Sequence, residues 1–549
     1  MKKVTKKTRG VEVKTNIIDR AVEFFSPVRG AKRFRARAFM ALTGGYLGAS
    51  TFRRGLKGWP TRSSDADTDI LPDLPTLRDR SRDLIRNNPL ATGAIKTKVT
   101  NVIGTGLKLQ SRIDRDILKL SDEQADAWES RTEREWRLFA ESHECDITRA
   151  DNFRGLTRLV YRQAKENGDV FVLLPRVPLP HFPYDLRLQV IEADRVCNED
   201  NKPDKDRLAG GIETDEYGAP TRYHISRTHP GSLRRRKNMM TWDKVDAFSA
   251  KLGLRNVIHL FEKTRPGQSR GVPDLAPVIE IFKQLGRYTD AEIAAAVISS
   301  FFTVFIETES GQSEFDLSDM ENELSGTSSG SESDTEYKLA AGSIIGLRTG
   351  EKVHDTNPGR PNTAFDDFIL SILRQIGVAL EMPFEILVKH FTASYSAARA
   401  ALLEFWKYVI SERQWISDDF CQVVYEVWMY EAVATGRIGA PGFLRDPIIR
   451  KAYLGSQWVG PAKGMINESV EIKAAQTRVD MGVSNLSLET AQFSGGDWEK
   501  VHRQSVKEHN LRRLDGLIVN QGSGIGGQGS GIGDRGSGIG DRGSEGEEG

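Results

Sequence analysis

One pattern in the chain has the residue types and spacing of a nucleophile. Gly267-Gln268-Ser269-Arg270-Gly271 matches G-x-S-x-G and lies between an expected strand and an expected helix. Such a serine attacks from a sharp strand-to-helix turn while a histidine takes its proton. The flanks oppose that geometry. Thr264-Arg265-Pro266 part the motif from the strand, and Val272-Pro273 part it from the helix. No HGGG-type loop follows to supply an oxyanion hole. The segment reads as a turn in which Gly271 gives backbone freedom. A serine hydrolase at Ser269 is the weakest alternative for function.

Other site chemistry is thinner still. No G-x-x-x-x-G-K-[ST] loop occurs, which disfavours an ATP-driven motor. Gly104-Thr105-Gly106 lacks the third glycine of a dinucleotide fingerprint. The histidines are scattered without H-E-x-x-H, and His224 and His229 read as solvated residues near a hairpin. Cys145, Cys197 and Cys421 form no C-x-x-C pair, which fits a reducing cytoplasm. The acidic run 307–336 lacks the spacing of an EF-hand loop. No catalytic residue, cofactor or metal is expected, and the chain is not expected to be an enzyme.

Charge is where the sequence is informative. The 549 residues carry a net charge of +1, but the signs are segregated. Residues 1–59 hold 15 Lys/Arg against Glu12, Asp19 and Glu23. Residues 307–336 hold ten Asp/Glu, including Glu307, Glu309, Glu314, Asp316, Asp319, Glu321 and Glu323, and no Lys or Arg. A chain of this kind can hold nucleic acid at one place and repel it at another. The apolar uncharged run Ile293–Ile306 has 14 residues and is short for a membrane span. The N-terminus has no apolar core of the signal-peptide kind. A soluble, intracellular protein is expected.

The elements that would position these residues follow from periodicity. Helices are expected at about 77–87, 91–102, 122–140 with Ser121 as N-cap, and 152–167. Strands are expected at 170–175, 186–191, 211–213, 221–226 and 257–261. A helix from about Asp274 to Ser300 and another from about Ala364 bracket an insertion. In the second, Phe365, Phe368, Ile369, Ile372, Leu373, Ile376, Ala379 and Leu380 make one apolar stripe. Strands at 301–307 and 343–348 flank the acidic, Ser/Gly-rich part. Pro383 breaks the second helix, and a long helix is expected from about 397 to 434. Shorter helices follow at about 468–481, 488–492 and 498–513. Gly522 begins a heptad repeat of Gly-Ser-Gly-Ile-Gly type, too poor in apolar side chains to order itself.

Two stretches in this frame resemble the lambda-type portal proteins of tailed phages. They are LRNVIHLFEKTRPGQSRGVPDLAPVIEIFKQLGRYTDAEIAAAVISSFF at 254–302 and LRTGEKVHDTNPGRPNTAFDDFILSILRQIGVALEMPFEILVKHFTASYSAARAALL at 347–403. Weaker echoes occur at 83–109 and 458–498. The resemblance implies an α+β portal fold, a homo-oligomeric dodecameric ring and a place at one vertex of the capsid. By position, residues 1–70 would be a basic arm, 71–273 a mixed α/β wing and 274–300 the first stem helix. Residues 301–363 would be a clip with an acidic insertion, and 364–382 the second stem helix. Residues 383–396 would be a tunnel-proximal loop offering Lys389, His390, Thr392 and Ser394. Residues 397–435 would be a long wing helix, 436–520 a C-terminal crown region and 521–549 a disordered tail.

The partners so implied are other copies of the chain, double-stranded DNA, the terminase large subunit, head–tail completion proteins, and the major capsid protein or scaffold. No membrane is implied. Two local alternatives stay open. The segment 382–396 could be a packed corner between helices with Lys389 merely solvated. The whole chain could be a nucleic-acid-binding scaffold that uses its basic arm.

Overall fold

The computed structural model describes residues 55–517 except 57, 234–240, 301–303, 309–350, 356–364, 392–393 and 465–466, with scattered positions between 22 and 49. The acidic segment 309–336, the expected strand 343–348 and the repeat tail from Gly522 lie outside the described residues. The chain divides into two units, Met1–Asp65 and Ala66–Gly549. In the first, residues 27–32 are helical, and Phe24 meets Phe25 edge-on at 5.4 Å.

The second unit opens with three helices, α1 (Ala66–Ile70), α2 (Leu74–Asn87) and α3 (Pro89–Val102). Asn88 separates the last two. Its side chain accepts from the N–H groups of Leu90 and Ala91, and Pro89 takes the first helical position. A missing N–H costs nothing there. Strand β1 (Lys108–Ser111) and the short α4 (Arg115–Leu118) lead to α5 (Asp122–Ala140). Ser121 and Gln124 form a reciprocal capping box at its start. Helix α6 (Phe153–Asn167) begins at the N-cap Asn152 and buries Phe153, Leu156, Val160, Tyr161 and Ala164 at helical spacing.

Two small antiparallel sheets follow. One has β2 (Asp169–Leu173) at its centre, between β3 (Gln189–Ile191) and β8 (Val257–Phe261). The other runs β4 (Leu208–Ala209), β5 (Ile212–Thr214), β6 (Pro220–Ser226), β7 (Trp242–Asp246). Strand β8 (Val257–Phe261) closes the region. The expected strand at 186–191 is regular only from Gln189. Leu186 and Leu188 are fully buried but make single bridges to Arg176 and Asp146. Strand β7 was not expected. Three of its five residues are charged, as suits an edge, and two of them, Asp243 and Asp246, pair with Arg227 and Arg222. His224, expected in solvent, is buried with Nε2 at 2.6 Å from Glu213. His229 is half-buried at 3.4 Å from Asp194.

A longer excursion comes next. Helix α7 (Ile279–Ser300) runs out to β9 (Val304–Thr308), which pairs antiparallel with β10 (Glu351–Asp355), and α8 (Phe365–Ala379) returns. Tyr288 of α7 stacks on Phe365 of α8 at 5.6 Å and meets Phe368 edge-on at 5.1 Å. The short α9 (Phe384–Leu387) precedes α10 (Tyr395–Ile416). The expected single helix to Ala434 is interrupted. A π-turn at Ser417–Cys421 joins α10 to α11 (Gln422–Ala434). The extra residue of a π-turn resets the helical phase. Ile416, Phe420, Val424 and Trp428 therefore all stay buried. Helix α12 (Pro447–Tyr453), β11 (Ser456–Val459), α13 (Glu468–Asp480), α14 (Leu486–Ser494) and α15 (Trp498–Leu514) complete the unit, with β11 paired to β1.

The main core gathers from α2 through α12. Trp136 of α5 is its hub. Its ring lies 5.1 Å from Phe153 of α6, 5.6 Å from Tyr425 and 5.1 Å from Trp428 of α11, and 5.8 Å from Trp458 of β11. Edge-to-face contacts of this kind add to the area they bury. Trp136→Ala is expected to lower unfolding free energy by about 3–5 kcal/mol, through lost burial and the cavity left behind. Urea denaturation checks it, and a loss under about 1 kcal/mol would remove Trp136 from the centre of the core.

Candidate functional site

The serine turn is built as a scaffold. Ser269 Oγ donates to Asp67 of α1 at 2.6 Å, and its N–H donates to the other oxygen of Asp67 at 2.8 Å. The hydroxyl meets a carboxylate directly, with no histidine between them to act as base. Gln268 is buried. Its Oε1 accepts from the N–H groups of Thr264 at 2.9 Å and Arg265 at 3.2 Å, and its Nε2 donates to the Arg270 carbonyl at 2.8 Å. These bonds fix the turn from inside.

Arg270 carries the turn into the core. Its Nε donates to Asp169 at 2.5 Å, and its other nitrogens reach the carbonyls of Val196, Gly210 and Ala193 at 2.7–2.8 Å. Arg78 of α2 approaches Asp169 from the far side at 2.6 Å. Asp169 is fully buried. Burial pushes its carboxyl up, but Arg270 and Arg78 outweigh that and hold it far below the usual carboxylate range. Burial drives Arg78 down to about 10. His259 stacks on Phe171 at 4.2 Å with Nε2 at 3.3 Å from Asp169, and burial holds its imidazole below its ordinary value.

The role of Gly271 differs from the expectation. Its backbone is not in the left-handed region. A Cβ there would stand 2.0 Å from the Gly168 carbonyl oxygen. Gly168 itself has φ +88°, and a Cβ on it would meet Gly271 O at 2.5 Å. Gly271 is needed for close backbone approach rather than for turn freedom, and Gly168 for both.

The second candidate is the corner after α8. Met382 N–H donates to the Gly377 carbonyl at 2.8 Å, and Glu381 adopts φ +53°. The helix thus ends in a left-handed residue, and Pro383 starts α9. Met382, Ile386 and Leu387 are buried, and the Arg374 guanidinium lies 5.7 Å from the Phe384 ring. Past this apolar anchor the character changes at once. Lys389 takes φ +55°, and both Lys389 and His390 are exposed. Phe391 is 56% exposed. Ser394 is exposed with Oγ at 3.2 Å from Ser396 Oγ. Thr392 lies outside the described residues.

Of the acidic residues, Glu309, Glu314, Asp316, Asp319, Glu321 and Glu323 lie outside the described residues. Glu307 is placed by its backbone in β9, opposite Lys352 of β10. Among the described residues no group of side chains could hold a metal ion, and no helix is long and apolar enough to cross a membrane. Sequence reasoning missed Asp67, Arg78 and Asp169. The signal available for Asp169 was Gly168-Asp169 at the mouth of a buried strand, where a carboxylate needs a cationic partner.

Ser269→Ala removes the hydroxyl bond to Asp67 at a part-buried site and keeps the N–H bond, so a loss of only about 1 kcal/mol is expected, with particle assembly intact. Gly271→Val must displace backbone and is expected to abolish soluble, folded protein. Denaturation and particle counts check both. A Ser269→Ala chain that folds normally yet gives no functional particles would contradict the scaffold role.

Residues 52–413 match the family model described as phage portal protein, lambda family. Portal protein B of Escherichia phage lambda is 25% identical over 491 residues, which covers 86% of this chain and 90% of that protein. The portal protein of Escherichia phage N15 is 24% identical over 486 residues, with 86% and 90% covered. A solved structure described as the neck of an empty GTA particle aligns with TM-score 0.42 and 12% identity over 76% of this chain and 92% of that one. The family match extends over more than half of the chain, and by it the chain belongs to the lambda family of phage portal proteins and is a portal protein, not an enzyme.

Proposed function

We propose that this portal protein works as a closed homo-oligomeric ring, a dodecamer in the virion, at one vertex of the capsid. Through it a terminase drives double-stranded DNA inward, and the genome later leaves. The single observation that carries this reading is the excursion from α7 to α8. Two long helices packed on each other flank paired strands β9 and β10 and end in a corner that exposes Lys389 and His390. We assign α7 and α8 to the stem, 301–363 to the clip, α10 and α11 to the long wing helix and 436–520 to the crown region. The stem also leaves apolar side chains uncovered. Ile293 is 58%, Phe368 50% and Val378 81% exposed. A neighbouring copy in a ring would cover such a face.

The mechanism is passive conduction. Duplex DNA carries about one charge per 1.7 Å of axis. A strongly cationic wall would hold a moving duplex and stall it. Isolated cationic side chains such as Lys389, with His390, Thr392 and Ser394 beside it, touch the backbone and let go. The acidic residues Glu307, Glu309, Glu314, Asp316, Asp319, Glu321 and Glu323 repel it at the clip. The same clip would receive the terminase large subunit and later the head–tail completion proteins. The wing would meet the major capsid protein or scaffold.

Lys389→Glu is expected to assemble normally and to reduce packaged or retained DNA. Nuclease-protected DNA per particle measures it. Wild-type DNA content with that variant would remove residues 383–396 from the tunnel. Light scattering of the purified chain is expected to give one high-mass species at micromolar concentration.

A further inference from the structure

A second buried charge cluster lies where the stem meets the rest of the chain. Asp274 stands just ahead of the 3₁₀ turn that begins α7. Lys98 of α3 contacts one of its oxygens at 2.8 Å, and Lys165 of α6 lies 3.6 Å from the other. Lys165 also contacts Glu412 of α10 at 2.8 Å, and Tyr161 donates to the same Glu412 oxygen at 2.8 Å. The Asp274 N–H donates to the Lys165 carbonyl at 3.0 Å. One lysine, almost wholly buried, thus joins the root of the first stem helix to the helix that follows the exposed corner.

The face of α10 is shaped to receive both lysines. Tyr408, Glu412 and Trp415 stand at i, i+4 and i+7, which places them on one side of the helix. Lys98 Nζ sits 4.8 Å from the centre of the Tyr408 ring, and Lys165 Nζ sits 5.0 Å from that of Trp415. Each cation therefore has a carboxylate and an aromatic ring. Burial opposes the charge on Lys165, but Asp274 and Glu412 outweigh it and raise its ammonium above the ordinary value.

Buried ion pairs are poor sources of stability, since apolar residues of like volume often do as well. What they supply is a demand for one geometry. Lys165 can satisfy carboxylates on two separate elements only when those elements hold a single relative placement. We propose that Lys165 is a positioning residue that locks the stem root to α10, so that displacement of one is transmitted to the other. The proposal rests on the stem and tunnel assignments above for its functional meaning, and on the contacts alone for its mechanics.

The test uses the full-length assembled protein. Lys165→Met with Glu412→Gln leaves no unpaired buried charge, because Asp274 keeps Lys98 and the new amide still accepts from Tyr161. The double variant is expected to melt with wild type. Amide exchange in both the first turns of α7 and the middle of α10 is expected to rise about tenfold or more, as local opening becomes easier. Packaged DNA is expected to fall severalfold. Normal exchange in α7 in a variant that melts with wild type overturns the proposal. Glu412→Gln alone is the second arm, should the pair fail to assemble. It alters only α10, so faster exchange in α7 supports the lock, and faster exchange confined to α10 overturns it. Should wild-type rings package no DNA, the portal mechanism fails while the exchange result still decides the lock.

Discussion

A charge taken out of water must meet its partner, and this fold concentrates that demand in five consecutive residues. Lys165-Glu166-Asn167-Gly168-Asp169 closes α6 and opens β2. Lys165 holds Asp274 and Glu412. The Glu166 carbonyl accepts from Ser81, and the Asn167 carbonyl accepts from Arg78 at 2.9 Å. Gly168 lies against Gly271, and Asp169 joins Arg78 to Arg270. The same short stretch thus fixes α2, the first sheet, the serine turn, α10 and the turn that leads into α7. Removing either charged end would leave guanidinium or carboxylate groups buried without partners, which costs more than the pairs themselves contribute.

The two ends of that stretch serve different purposes. At Asp169 two arginines surround one carboxylate, and further donors of both reach backbone carbonyls, three from Arg270 and one from Arg78. That cluster joins α2, β2 and the serine turn. At Lys165 one partner comes from the turn ahead of α7 and the other from α10, and aromatic rings cover the cations. The first arrangement holds α2, β2 and the serine turn in one placement. The second joins the segment that leads into α7 to α10. In the proposed ring both properties would matter, because packed elements with defined contacts can carry a displacement from one part of a subunit to another.

The elements most legible in the sequence are those whose signals are local. Asn88 with Pro89, Ser121 with Gln124, and Asn152 set helix starts through side chains within three residues. The stripe from Phe365 to Leu380 and the stop at Pro383 likewise need no distant information. Strand β7 was hidden because an edge strand with charged residues has little apolar alternation. The π-turn at Ser417–Cys421 was hidden because apolar side chains continue on both sides of it, and only their phase changes. Of the candidate site, the exposure of Lys389 and His390 beyond an apolar anchor followed from residue order. The partners of Ser269 and Lys165 did not. Asp67 lies 202 positions from Ser269 in sequence, and Glu412 is as remote from Lys165, so no local pattern connects them.

In the proposed ring, copies of this chain close around a hole wide enough for duplex DNA. Electron microscopy of the purified full-length protein measures it most directly. Rings are expected, with a central channel wide enough to pass a duplex whose major groove alone is about 12 Å wide. Compact single subunits, or open arrays without a channel, at concentrations where the protein is folded would contradict it.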